Sequence, residues 1–154
     1  MTRALATAGV LALAALAASA QPPAAVPIDP AIDACAKCKM SVKDSGFSAE
    51  LIAADGKVYK FDDLGCLLAF EQDEPAVKAA ARYVQDEGTK AWTILESAYF
   101  VLAKERATPM GYGIHAFAKK EDAAKFASAL EDKPKVLKLS ELPSYSGSNG
   151  MSMP

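Results

Sequence analysis

The sequence predicts an α+β fold built from two tandem, homologous β-β-α-β units with mainly antiparallel strands. Two segments, residues 48–86 and 99–139, repeat the same order of apolar runs. Each has two strand-like runs, an acidic turn, a helical pattern and a closing strand. The phenylalanine that ends the second strand lies nine residues before a helical phenylalanine in both segments, as Phe61 to Phe70 and Phe117 to Phe126.

The first unit begins with a predicted strand over residues 49–53, followed by an Asp-Gly turn and a second strand over 58–61. This turn pair is typical of tight hairpins. Asp62 or Asp63 can cap the helical pattern that follows, and a third strand is predicted over 81–85. One such unit is too short to bury much core. We therefore expect the two units to pack on each other or to share a sheet.

The second unit repeats this plan, with strands predicted over 99–103 and 114–117, an acidic helix start at Glu121, and a last strand over 136–139. Residues 92–98 alternate in polarity and could form one more strand. The segment 104–112 is predicted to be a loop, and it contains Pro109-Met110-Gly111.

The N-terminus has the pattern of a secretion signal. Arg3 precedes an Ala/Leu-rich run that ends in Ala18-Ser19-Ala20, and this small-x-small pattern predicts cleavage after Ala20. The run is too short to be a convincing transmembrane helix. No cysteine follows the cleavage point directly, so no lipid anchor is predicted. We expect a periplasmic or secreted protein, with an uncleaved membrane anchor as the alternative.

The remaining segments divide as a Pro-rich tether over 21–34, the first unit with the metal motif over 35–90 and the second unit over 91–142. Residues 143–154 form a small-residue tail that ends in Met151-Ser152-Met153. Four prolines predict an extended, partly disordered tether. The formal net charge is −2 and no basic block occurs, which argues against nucleic acid as a partner. A monomer is expected.

The run from Cys35 to Met40 places two thiols and a thioether within six residues. Soft sulfur donors of both kinds suit Cu(I) better than other common metals. On an extended strand, Cys38 and Met40 would point the same way. Met110 is a further candidate, because a loop methionine beside glycine is less typical of core filler than a helical one.

Other uses of these cysteines remain open. A thiol-disulfide protein could cycle Cys35 and Cys38, although such pairs usually follow a strand at a helix N-terminus. A zinc site could combine Cys35, Cys38, Cys66 and His115. A disulfide could join Cys35 to Cys38, or either of them to Cys66. Three cysteines in an exported chain leave at least one unpaired or metal-bound.

Two of these residues also have ordinary structural explanations. Cys66 lies on the predicted helix beside Leu67 and Leu68, where a free cysteine behaves as a small hydrophobe. His115 is expected at the rim of its strand. The pair Met151 and Met153 could capture copper weakly or serve no function.

The chain resembles the NosL family, copper chaperones for the assembly of nitrous oxide reductase. The matching segments, in order, are Cys35-Ala36-Lys37-Cys38-Lys39-Met40-Ser41-Val42, Phe61-Asp62-Asp63-Leu64-Gly65-Cys66, Trp92, Ala98-Tyr99-Phe100-Val101, Pro109-Met110-Gly111-Tyr112-Gly113, Ala116-Phe117 and Ala123-Ala124-Lys125-Phe126. Their order and spacing together are more specific than any single segment.

The resemblance implies an exported Cu(I)-binding protein that hands copper to the maturing reductase or its machinery. It implies two homologous β-β-α-β units, likened to part of organomercurial lyase. It also maps metal ligands onto Cys38 and Met40, with Met110 as a third. Cys35 would be an auxiliary ligand or a thiol that guards Cys38 by reversible pairing.

Two departures from the family pattern stand out. Members usually carry a lipobox cysteine, which Ala18-Ser19-Ala20-Gln21 replaces here, and Lys39 stands where glycine is common. We expect the Lys39 charge to lower the Cys38 pKa. The overall interpretation is a binding and transfer protein rather than an enzyme. The alternatives are a periplasmic thiol-disulfide protein and a general copper scavenger.

Overall fold

A computed structural model describes residues 21–43 and 45–145. Within them the predicted α+β fold with antiparallel strands is confirmed. The expected signal peptide over 1–20 and the Met151 and Met153 pair lie outside the described residues. None of the helices within 21–43 and 45–145 is long and apolar enough to cross a membrane.

The first part of the fold contains β1 (Ala49–Ala53), β2 (Val58–Phe61), α1 (Leu64–Asp73), β3 (Ala79–Gln85) and β4 (Trp92–Ile94). Its strands form a sheet in the order β2-β1-β3-β4, with every neighbouring pair antiparallel. The helix α1 follows β2, and its N-cap is Asp63, one of the two predicted capping residues.

The second part of the fold contains β5 (Tyr99–Leu102), β6 (Ile114–Phe117), α2 (Lys120–Ser128) and β7 (Val136–Leu137). Its strands form a sheet in the order β6-β5-β7, again antiparallel. In both sheets the first strand of the unit lies between the second and the third, as expected of a tandem repeat.

Three predicted strands are shorter than expected, and the strand predicted over 99–103 loses only its last residue, since it ends at Leu102. The last strand ends at Leu137 because Leu139–Glu141 forms a 3₁₀ turn, in which the Lys138 amide donates to Glu141 Oε2 at 2.7 Å. The segment predicted over 92–98 is a strand only over Trp92–Ile94, followed by a 3₁₀ turn at Leu95–Ser97. This strand pairs with β3 and therefore extends the first sheet.

The two sheets pack on each other, which was one of the two expected arrangements. A single cluster of buried side chains joins Leu51 and Phe61 of the first sheet to Phe100 and Ile114 of the second. Burying large apolar side chains supplies most of the favourable folding free energy. By sharing one core, the two units bury more apolar surface than either could bury alone.

The Pro-rich segment expected to be a loose tether is instead held against the first sheet. The Tyr83 hydroxyl donates to the Pro23 carbonyl at 2.8 Å, and the Val26 amide donates to Glu50 Oε1 at 2.9 Å. Lys60 also donates to the Pro27 carbonyl at 2.7 Å. Proline has no backbone N–H to donate. The segment therefore does not pair as a strand, and these contacts are with side chains of the sheet.

Candidate metal centre

The loop that carries the cysteine motif is a tight reversal and not an extended strand. The Cys35 amide donates to the Met40 carbonyl at 2.8 Å, and the Lys39 amide donates to the Cys35 carbonyl at 3.0 Å. Lys39 has a φ of 67°, a left-handed conformation that favours glycine. The expectation that Cys38 and Met40 share one strand face is therefore wrong, because the chain turns between them.

Three cysteines and one aspartate converge beneath this loop. One ligand atom from each of Cys35, Cys38, Cys66 and Asp62 lies within 4.8 Å of the others. Cys35 and Cys66 are each 1% exposed, whereas Cys38 is half-buried. Asp62 directly precedes the Asp63 cap, and Cys66 lies in the first turn of α1. The helix start therefore brings Asp62 and Cys66 to the cysteine loop.

The cluster is built around the Cys35 sulfur. It accepts a hydrogen bond from the Cys38 amide at 3.4 Å. The neighbouring Cys66 thiol is the largest cause that lowers the pKa of Cys35, the backbone at Cys38 and Asp62 lowers it further, and burial opposes both. The pKa of Cys66 is raised in turn, because its proton is held by Cys35 and its site is buried. Cys35 is thus the sulfur best prepared to be a thiolate.

The Cys38 pKa is raised and not lowered, which contradicts the effect expected of Lys39. Burial is the largest cause, and neighbouring Cys35 and Asp62 add to it. The Lys39 ammonium donates instead to the Ala36 carbonyl at 2.6 Å. The Cys38 thiol donates to Asp62 Oδ1 at 3.3 Å. Cys38 therefore keeps its proton until a metal ion displaces it.

A groove of about 400 Å³ brings the two predicted methionine ligands to one place. Met40 and Met110 both line it, together with Phe47, Asp62 and Pro109. Met40 is 59% exposed and Met110 is 40% exposed. Exposed methionines on loops are uncommon as packing residues. The two thioethers come from different units of the fold, and Asp62 connects their groove to the Cys38 thiol.

The Asp63 carboxylate links the Met110 loop to the start of α1. Asp63 Oδ1 accepts from the Gly65 amide at 2.9 Å, and Asp63 Oδ2 accepts from the Met110 amide at 3.0 Å. The ring of Tyr112 lies directly on Gly65, where an added Cβ would be 2.0 Å from the ring. This contact and the carboxylate together set the position of Met110 relative to the cysteines.

His115 is not part of the cysteine cluster and is not at a strand rim. It is 1% exposed, its Nδ1 lies 2.6 Å from Glu87 Oε2, and its ring packs against Phe47 and Phe126. Among residues 21–43 and 45–145, the group able to hold a metal combines the three cysteines with Asp62. The zinc set that included His115 is therefore not assembled.

Sequence reasoning named Cys35, Cys38, Met40 and Met110 but gave Asp62 only a capping role. Cys66 is buried, as expected of a small hydrophobe, yet its sulfur belongs to the cluster. The position of Asp62 and Cys66 on either side of the predicted helix start is the sequence feature that predicts their proximity. A side chain just before a helix and one in its first turn face the same end of the helix.

The family model for NosL matches residues 26–145. The chain belongs to the NosL family. The NosL match includes the docked N-terminal segment from residue 26, both sheets, all three cysteines and Met110. No curated protein matched the chain.

A solved NosL structure has the same fold. The chain resembles the copper chaperone NosL from Shewanella denitrificans with a TM-score of 0.68 and 25% sequence identity. The similarity covers 79% of this chain and 97% of that one. The match therefore spans nearly the whole of the Shewanella protein.

Proposed function

We propose that this NosL-family chain is an exported Cu(I) metallochaperone that delivers copper to nitrous oxide reductase during its maturation. In this proposal the protein binds and transfers an ion and is not an enzyme. In this proposal it works as a monomer. Its family membership and its likeness to a solved copper chaperone support the proposal.

The observation that carries the proposal is the meeting of Met40 and Met110 in one groove that Asp62, the acceptor of the Cys38 thiol hydrogen bond, also lines. Thioethers bind Cu(I) but have little affinity for Zn(II) or for hard ions. A site with one thiolate and two thioethers is therefore selective for Cu(I). We assign Cu(I) to Cys38, Met40 and Met110, with Cys35 as an auxiliary residue that positions Cys38 through the amide-to-sulfur hydrogen bond.

Exposure of this site explains how copper could leave it. Both methionines are open to solvent, so a ligand of the acceptor protein can reach the ion before the existing bonds break. Cu(I) accepts low coordination numbers, and a site with neutral thioether donors holds it less firmly than an all-thiolate site. Such a site favours ligand exchange over permanent storage.

A transfer experiment tests the proposal. The reduced protein is loaded with one equivalent of Cu(I) and mixed with copper-free nitrous oxide reductase, and copper in the reductase is measured after separation. Wild type should fill the reductase faster than the Met40→Leu/Met110→Leu variant. A copper–chelator complex of matched affinity serves as the control donor.

The alternatives predict different results. If the chelator complex fills the reductase as fast as the protein does, the protein is a scavenger and not a dedicated donor. If the reduced protein catalyses insulin reduction with sustained turnover, Cys35 and Cys38 act as a redox pair. The Met151→Leu/Met153→Leu variant tests whether the tail contributes to transfer.

A further inference from the structure

Cys35 and Cys66 form a buried sulfur pair that the exposed methionine site does not use. Their sulfurs lie within 4.8 Å of each other and of Cys38, at 1% exposure. Buried cysteines that only fill space do not need a backbone amide directed at one of their sulfurs. Here the Cys38 amide donates to the Cys35 sulfur at 3.4 Å.

Amide donors to a sulfur are typical of metal-bound thiolates, because they stabilise negative charge on the ligand and orient it. The reversal at residues 35–40 supplies one of them: the left-handed Lys39 lets the chain turn, and the Cys38 amide faces Cys35. Cys66 adds a sulfur from the first turn of α1. That end of the helix also favours negative charge.

The spacing of the three sulfurs fits a metal ion at their centre. Metal–thiolate bonds are about 2.3 Å long, so a trigonal set of sulfurs lies about 4 Å apart. The observed separations are within 4.8 Å. A small contraction, without any change of fold, is enough to bind one ion.

We propose that Cu(I) has a second, inner position bound by the thiolates of Cys35, Cys38 and Cys66. This rests on the proposed function, since Cys38 is shared with the outer position formed by Met40 and Met110. Copper arrives and leaves through the exposed thioethers and is held between transfers by the buried thiolates. As the three sulfur–copper bonds form, the thiol protons leave to solvent. Asp62 accepts from the Cys38 thiol and also lines the open groove, so it gives the Cys38 proton a path out.

The inner and outer copper positions differ in their donor atoms and therefore in how strongly they hold copper. Three thiolates donate more strongly to a soft cation than one thiolate and two thioethers. The inner position is therefore the resting position at one equivalent of copper. The outer position sets the rate of exchange, because Met40 and Met110 are exposed whereas Cys35 and Cys66 are buried.

X-ray absorption at the copper edge of selenomethionine-labelled protein tests this inference without altering the fold. With one equivalent of Cu(I), the wild type should show sulfur neighbours and no selenium neighbour. The Cys66→Ala variant, which keeps a small apolar side chain in the core, should show selenium neighbours because copper is confined to the outer position. Its affinity in a chelator competition should fall by about tenfold or more, the scale typical when partners of a metal site are removed.

Selenium neighbours in the wild-type spectrum would overturn the inner position and leave the proposed function intact. A spectrum dominated by nitrogen neighbours would overturn both. Asp62→Asn is the control, since a soft ion bound by three sulfurs does not need a carboxylate. Loss of Cu(I) affinity in Asp62→Asn as large as that in Cys66→Ala would contradict an all-sulfur position.

Discussion

The Asp63 carboxylate joins the helix of the first unit to Met110 of the second. One oxygen accepts from the Gly65 amide at 2.9 Å and the other from the Met110 amide at 3.0 Å. Burial raises the pKa of this carboxyl, and hydrogen bonds from Met110, Thr108 and Gly65 offset part of that rise. A single buried side chain therefore sets both the start of α1 and the position of a proposed copper ligand.

Asp63→Asn should destabilise the fold and slow copper loading. An amide group cannot accept from both backbone donors, so one N–H is left facing another, at a cost of about 1–3 kcal/mol. Chemical denaturation measures the stability, and the rate of Cu(I) uptake from a weak chelator measures the loading. Asp55→Asn, in the exposed turn after β1, is the matched control. Equal stability and equal uptake in the two variants would contradict this role of Asp63.

Gly65→Ala should disturb the contact between the two units. The added methyl group would lie 2.0 Å from the Tyr112 ring, so the ring and the Met110 loop must move, which costs about 1–3 kcal/mol for overpacking. Thermal unfolding of Gly65→Ala, Tyr112→Ala and the double variant gives the coupling. The two effects should be clearly non-additive. Additive effects would mean that the contact carries no energy.

Lys39→Gly should stabilise the protein. Lys39 has a φ of 67°, and an L-residue in the left-handed region costs roughly 1–2 kcal/mol. The gain is reduced by the entropy of glycine in the unfolded chain and by loss of the bond to the Ala36 carbonyl. We expect a net gain of about 0.5–1 kcal/mol. A lower midpoint in thermal unfolding would show that the lysine contacts outweigh the backbone strain.

Asp86 should make stability depend on pH at the acidic end. Burial alone would raise the pKa of its carboxyl, but hydrogen bonds from the Ala118, Thr89 and Gly88 amides and the Thr89 hydroxyl outweigh burial and lower it. The stabilisation is therefore present above the unfolded-state pKa of about 4. It is lost as the pH falls through the lower folded-state value.

Asp86→Asn should cost about 1–3 kcal/mol at neutral pH, and its difference from wild type should close as the pH falls below about 4. Denaturation measured across the acidic range checks this. The exposed Asp132→Asn variant is the control. A difference that stays constant with pH would show that the carboxylate charge does not contribute.

The fold could be predicted from the sequence because its signals are local. The Asp-Gly turn and the flanking apolar runs gave the observed bounds of β1 and β2, and Asp63 is the helix cap. Leu139 was placed in a strand because its apolar character fits one. In the structure the hydrogen bond from the Lys138 amide to Glu141 closes a turn at this point instead. Such a bond does not change the pattern of apolar residues, so it is not visible in the sequence.

Residue type, and not geometry, is what the sequence offers for the site. Soft donors predict Cys38, Met40 and Met110 as ligands. In the structure Met40 and Met110 line one groove with Asp62, which accepts from the Cys38 thiol, and the assignment of copper to these residues stays a prediction. A lysine in the left-handed region is not visible in a sequence, so the turn at Lys39 was missed. His115 is buried because Glu87, which is distant in sequence, supplies its partner. Cys66 reaches the cluster only through packing of α1 against the cysteine loop.

A competition titration of Cu(I) between the reduced protein and a chromogenic chelator, in wild type and Cys38→Ser, tests the central claim most directly. Cys38 belongs to both proposed copper positions, so its loss should weaken binding far more than any single methionine substitution, by about a hundredfold or more. The serine variant should keep the wild-type unfolding midpoint to within a few degrees, since Cys38 is only half-buried. If Cys38→Ser binds Cu(I) as tightly as wild type, copper is held elsewhere and the account is wrong.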